Sequence, residues 1–220
     1  MWINPQYLPD EPEFALEFVN AHPLGVLVVD GMLHAAHVPM LAVEGAEAGR
    51  ISHLIGHVAV ADPIARRLTL PGVRALAIHV GPAAYITPRW YSDPGLPTYN
   101  FGAVHVTGAV RTLTEDELRA HLVELIAVHE NTHVHVRHEP WSMDDPALER
   151  MESLLPRIIG FVIEPDRIEA KLKVGQNRRP SEIVDAARAL AGSADRGDRL
   201  VADDMERVAR MRIDREGRRG

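Results

Sequence analysis

The period of hydrophobic positions changes several times along the chain, and each change marks an element. Asp10 can cap a first helix carrying Pro12, Phe14, Leu16, Phe18 and Val19, and His22-Pro23 ends it. The period then shortens to two. LGVLVVDG and LHAAHVPMLAV read as strands turning at Asp30-Gly31, and GAEAG at 45–49 turns the chain into a third, ISHLIGHVAV. Asp62 caps a short helix whose first position is Pro63, and Pro71-Gly72 breaks it before the strand VRALAIHVG.

Residues 81–100, GPAAYITPRWYSDPGLPTYN, contain four prolines and no regular period, which predicts a long ordered loop of the kind that carries function. VHVTGAVRTL is the next strand. Thr114 with Glu117 forms a capping box for the helix EDELRAHLVELIAVHE, and Asp145-Pro146 opens another, DPALERMESLL. RIIGFVIEPDRIEAKLKV predicts two last strands divided at Glu164-Pro165. Turns rather than crossover helices separate the early strands, so the pattern predicts a mainly β fold with helices, a small barrel or sandwich, and not a doubly wound sheet. SEIVDAARALAG and RLVADDMERVARMRI place apolar residues, among them Val201, Met205 and Val208, at helical spacing. The expected organisation is a domain over 1–180 and a C-terminal helical appendage over 181–220, packed on the body or on a second subunit.

Composition narrows the chemistry. A chain of 220 residues, 46% hydrophobic, fills one core comfortably and two only tightly. Twenty-four basic against 31 acidic side chains give a net charge of -7, which argues against a broad nucleic-acid footprint. No basic recognition helix stands out, although RLVADDMERVARMRIDREGRR resembles one at low stringency. No run approaches the ~20 apolar residues of a membrane span and the N-terminus lacks a signal pattern, so the expected location is cytoplasmic, with no membrane partner. With no cysteine, disulfides and thiolate ligands are excluded, and a metal or haem must use His, Tyr, Lys, Met or a carboxylate.

Twelve histidines are therefore the first candidates. His129-Glu130 with His133 spells H-E-x-x-H, but it falls at the end of its helix, where Asn131-Thr132 weaken the helical register a zinc site needs. His133, His135 and His138 read as solvated. A better group is spread over the strands: His37, His53 and His57, His79, and His105. His53 and His57 share a strand parity inside an apolar run, and a buried imidazole requires a polar partner or a ligand from elsewhere in the chain. The structural alternative is that two or three of the group are hydrogen-bonded core histidines. Tyr85, Trp90, Tyr91, Tyr99 and Phe101 can line a pocket for a planar cofactor or a substrate. Lys171, Lys173, Arg178 and Arg179, beside Gln176 and Asn177, can hold a phosphate or propionate, or simply solvate a strand end. No G-x-G-x-x-G, P-loop or G-x-S-x-G is present.

Several blocks in fixed succession, HPLGVLVVDG, AAHVPML, LIGHVAVADP, GPAAYITPRWY, LPTYNFGAVHVTG, the HE at 129, Pro140-Trp141, IIGFVIE and KLKVGQNR, resemble the PaiB family. These flavin-binding split-barrel proteins are usually labelled FMN-binding negative transcriptional regulators. The resemblance covers about residues 2 to 180 and implies a split β-barrel. The chain departs from the family pattern in three places: Pro97-Thr98-Tyr99-Asn100-Phe101 stands for P-T-W-N-Y, Ser92 to Leu96 is shorter than usual, and KLKVGQN lengthens K-L-S-Q-N. All three lie where the cofactor pocket is expected, which loosens the case for FMN and leaves the barrel histidines in place.

Within the family the chain is most similar to a haem-dependent branch, the piperazate synthases, which join the two nitrogens of N5-hydroxy-L-ornithine with loss of water to give L-piperazate. The resemblance implies haem b, with FMN as the alternative, a small-molecule substrate, and a homodimer with cofactor pockets near the subunit interface. His57 is then the first choice for iron ligand, with His105 and His37 in reserve. Tyr85, Tyr91 and His105 are the catalytic candidates. His37, Trp90, Lys171, Lys173, Gln176, Asn177 and Arg179 join His57 as cofactor-binding candidates.

Overall fold

The computed structural model describes residues 1–93, 95–132 and 141–218. Six strands, β1 (Leu24–Val29), β2 (Ala35–Glu44), β3 (Ile51–Ala59), β4 (Arg74–Ile86), β5 (Thr98–Thr112) and β6 (Ile158–Lys173), close a barrel in the order β1-β2-β3-β6-β5-β4. The helices are α1 (Phe14–Ala21), α2 (Pro63–Leu68), α3 (Glu115–Thr132), α4 (Asp145–Leu154), α5 (Pro180–Ala191) and α6 (Arg196–Gly217). The chain groups into two compact units, one of Met1–Phe14, Val80–Val104 and Glu169–Gly220, the other of Ala15–His79 and His105–Ile168. We call them the tail unit and the histidine unit.

In the histidine unit, consecutive turns lay β1, β2 and β3 side by side, and β3 then pairs antiparallel with β6, setting His57 opposite Gly160. Along β3, Ile51, Leu54, Gly56 and Val58 are buried, while His53, Ile55 and His57 share the other, half-buried face. Phe161 explains the glycine: a Cβ on Gly56 would lie 2.9 Å from its Cζ and 3.0 Å from Met40 Cγ. The caps follow the sequence. Asp62 accepts from the Ile64 N–H at 2.9 Å, and Thr114 and Glu117 exchange both bonds of the capping box.

Three expectations are corrected. Segment 81–100 is not all loop: β4 continues to Ile86, with Ala84 and Ile86 buried on the opposite parity to Ala75, Ala77 and His79 after a switch around Pro82, and only 87–97 connects it to β5. The last two strands are one. Pro165 does not end β6, since its fixed φ suits an extended chain, and Gly108 leaves room for the Glu164 carbonyl. The first helix begins at Phe14 rather than near Asp10, whereas α4 opens at Asp145 as expected, capped by Asp144, which accepts from Ala147 N–H at 2.9 Å.

The tail unit has its own core. Val201, Met205 and Val208 of α6 and Ile183, Ala186, Ala187 and Leu190 of α5 pack with Ala84, Ile86, Leu172 and Val174. The stretch expected as an appendage thus shares its apolar stripe with the ends of β4 and β6. Among the described residues no helix is long and apolar enough to cross a membrane.

Candidate functional site

The partner that His57 requires comes from α3. His57 Nδ1 lies 3.4 Å from His121 Nε2, with the rings edge to face at a centroid distance of 5.6 Å. The position of His121 follows from helical spacing: Leu118, His121 and Leu125 form one buried stripe, and a Cβ on Gly160, across from His57, would meet Leu118 Cδ1 at 3.0 Å. The sequence did carry this signal, an imidazole at an apolar helical position, yet the strand histidines drew the attention.

His57 also lines an apolar pocket of about 440 Å³, within the roughly 300–1,000 Å³ of small-molecule sites. Leu122 and Ile126 of α3, Ala147, Met151 and Leu154 of α4, and Ile158 form its walls, with Trp141 and Met143. Among the described residues that line it, Arg150 is the one with a cationic side chain. Arg119 clamps the two helices, meeting Glu152 at 2.5 Å, and the Trp141 N–H donates to Glu130 at 2.9 Å. Burial lowers the pKa of His57, and burial with repulsion from His57 lowers that of His121 to about 4, so both rings are neutral at pH 7. The 3.4 Å contact is a hydrogen bond when one ring donates to the other, in a direction the tautomers set. When His57 donates from Nδ1, its Nε2 carries a free lone pair.

The other strand histidines go elsewhere. His79 is fully buried; its Nδ1 donates to the His22 carbonyl at 2.8 Å, and burial lowers its pKa despite that bond. A Cβ on Gly25 would meet its ring and Met40, so His79 packs as a core histidine. His37 is exposed opposite Val26, His53 sits 3.2 Å from Ser52 Oγ, and His105 is half-buried on β5. None of these four lines the pocket. His129 ends in α3, which continues through Asn131 to Thr132; His133, His135 and His138 lie outside the described residues. Among the described residues no three His, Asp or Glu side chains group as a metal chelate.

The remaining candidates belong to the tail unit. Tyr85 and Tyr99 are exposed and meet edge to face at 5.8 Å, while Lys171 Nζ lies over Phe101 at 5.3 Å and Trp2 at 5.7 Å. Lys173 donates to Thr98 Oγ1 and to the Tyr99 carbonyl. Gln176 folds back on its own chain, accepting from Val174 N–H and donating to the Leu172 carbonyl, and Asn177 is exposed. Half-buried Tyr91 lies under the Arg178 guanidinium at 4.5 Å; burial raises its pKa, with the Arg178 charge opposing. Trp90 packs against the helical core.

Arg179 serves a carboxylate that sequence reasoning missed. Buried Glu182 accepts from Ser92 N–H and Oγ, from Asp93 N–H and from Arg179, and so ties the 87–97 connection to α5. The Ser92 hydroxyl above all, then Asp93 N–H and Arg179, hold its pKa at about 2, against burial. The folded value lies below the ordinary 4.5, so this stabilisation is complete above pH 4.5 and lost as the pH falls toward 2. Glu182→Gln is accordingly expected to be less stable than the parent at pH 7 and to converge on it only as the pH falls toward 2, as measured by urea unfolding at several pH values. A constant gap would contradict the anchoring role.

A closed six-stranded barrel with flanking helices defines a split-barrel protein, with His57 among the residues that line its apolar pocket. The chain belongs to the PaiB-like family, its residues 1–167 matching the model described as a putative FMN-binding domain. It is 28% identical over 216 residues, 97% of its length and all of the relative's, to protease synthase and sporulation protein PAI 2 of Bacillus subtilis. An uncharacterised protein of Emericella nidulans is 23% identical over 213 residues, 80% of this chain and 84% of its own. In fold it is similar to the FAD and haem binding protein of Mycobacterium smegmatis, with a TM-score of 0.54, 15% identity, and coverage of 76% of this chain and 73% of that one.

Proposed function

We propose that the chain is a haem-binding member of this family, with His57 as axial ligand, and that the loaded protein is an L-piperazate synthase acting on N5-hydroxy-L-ornithine as a cytoplasmic homodimer. One observation carries the haem reading: an apolar pocket whose floor is a neutral imidazole with Nδ1 tied to a second imidazole, leaving Nε2 uncommitted. The fit is chemical. A bare ion would find no group of three His, Asp or Glu donors among the described residues, whereas a porphyrin brings four nitrogens of its own and asks the chain for one nitrogen, apolar walls and a cation for its carboxylates. His57, the Trp141 and Met151 walls and Arg150 supply these.

In the proposed reaction the α-amine nitrogen bonds to N5 as the N5–O bond breaks, the oxygen leaves as water, and no external reductant is needed. Haem, when bound, would polarise that N–O bond. The chain's part is to exclude water, align the amine, give one proton to the leaving oxygen and take one from the amine. Of the candidates for these transfers, Tyr85, Tyr91 and His105, none is among the residues that line the pocket of His57.

FMN is the second reading. The observation that favours it is the aromatic and basic face of Tyr85, Tyr99, Phe101 and Lys171, which suits a planar anion. Its phosphate would compete for groups already engaged, since Lys173, Gln176 and Arg179 all have partners within the chain. The deciding measurement is the absorption spectrum of protein purified from cells supplied with haem precursor, together with mass-spectrometric assay of piperazate and the light-scattering mass. A Soret band, product formation and a mass of two chains are expected. Flavin absorption without a Soret band overturns the haem assignment, and a haem protein without product overturns the reaction.

A further inference from the structure

His121 poses a question that the proposed function leaves open. It is 1% exposed on the buried stripe of α3, where Leu118 and Leu125 are its apolar neighbours, and its Nδ1 is buried without a hydrogen-bond partner. A leucine there would fill the same stripe without stranding a nitrogen, so packing gives no reason for an imidazole. Among the described residues its polar contact is with His57, through Nε2 to Nδ1 at 3.4 Å.

A hydrogen bond between the two rings, at 3.4 Å from His57 Nδ1 to His121 Nε2, can run in either of two directions. If His121 donates from Nε2, the His57 proton sits on its own Nε2 and that nitrogen cannot bind a metal. If His57 donates from Nδ1, its Nε2 lone pair is free, the ring is fixed by the bond behind it, and its basicity rises. Only the second arrangement is compatible with ligation.

We infer that His121 is a positioning residue, whose Nε2 accepts the His57 Nδ1–H and so fixes the ring orientation and donor strength of His57 toward the pocket. The inference rests on the haem reading above and adds to it a residue that never touches the cofactor. It accounts for the stranded Nδ1: the nitrogen is left over from a ring retained for its other side.

The test compares the full-length parent, His57→Ala, His121→Leu and His121→Gln, with haemin as probe. The readouts are haemin affinity, the iron–histidine stretching frequency of the reduced protein by resonance Raman, and the thermal midpoint of the haem-free protein. His121→Leu is expected to bind haemin roughly 10–100-fold more weakly and to lower the stretching frequency, with a haem-free midpoint no lower than the parent's. Glutamine, whose Oε1 stands near the position of Nε2 and can accept the same proton, is expected to restore most of both. If His57→Ala impairs haemin binding while His121→Leu matches the parent in affinity and frequency, the positioning role is wrong and the haem reading stands. If the parent and His57→Ala are alike, the haem reading fails and takes this inference with it. A lowered midpoint for His121→Leu with an unchanged frequency would make His121 merely structural.

Discussion

His57→Ala is expected to yield a folded protein that no longer retains haem through purification and forms no piperazate. Haemin added back should bind with a shifted Soret band, weakened by more than the roughly 10–100-fold that loss of a supporting hydrogen-bond partner costs. The expectation follows from position. His57 lies on the half-buried outer face of β3 and lines the pocket between that strand and the two helices, and truncating it removes an imidazole without touching the inward row of Leu54, Gly56 and Val58. A structural histidine would behave in the opposite way, losing stability without a specific spectral change. His53→Ala is the control. It removes the same group four positions away on the same face, but His53 neighbours Ser52 and does not line the pocket, so its variant should keep the parent spectrum. Unchanged haemin affinity and an unchanged Soret band in His57→Ala would end the ligand assignment and make His105 the next residue to test.

The largest effect on stability is expected at a residue with no side chain. A Cβ on Gly108 would overlap the Glu164 carbonyl and lie 2.8 Å from Pro165 Cα, and these are backbone atoms of β6 that cannot swing aside as a rotamer does. Gly108→Ala should therefore destabilise the protein by about 3 kcal/mol or more, the upper end of what overpacking usually costs, or prevent soluble expression. Gly72→Ala provides the contrast. Nothing lies within 4 Å of its Cβ, and its φ of +71° limits the penalty to about 1 kcal/mol of backbone strain. Urea unfolding of the two variants measures the difference, and equal losses would show that β6 can give way at Glu164-Pro165.

The same pair of residues shows why part of the fold was illegible. Read locally, Glu164-Pro165 is a strand break, because proline removes an N–H that a ladder normally uses. β6 nevertheless runs from Ile158 to Lys173, because the neighbouring strand presents Gly108 there, 57 positions earlier in the chain. β4 likewise runs past Pro82, where the buried parity switches from Ala75, Ala77 and His79 to Ala84 and Ile86. A single-strand reading weighs proline by its own backbone, whereas the partner strand decides whether it is tolerated.

By itself, the sequence determined the strand periods, the caps at Asp62 and Thr114, the apolar stripe of α6, the exclusion of thiolate chemistry and the shared parity of His53 and His57. Each of these depends on residues within about one helical turn or one strand, where spacing is geometry. Tertiary structure alone decided which histidine acquires a pocket. His57, His79 and His105 all lie on apolar strands, and their different fates, against His121, against the His22 carbonyl, and half-buried on β5, depend on which face each strand turns and which helix lies over it. His57 and His121 are 64 positions apart, and nothing in either local pattern specifies the other. Their meeting is set by the packing of Leu118 over Gly160, which brings α3 onto β3 and β6, so the chemistry of the site is a consequence of an apolar contact.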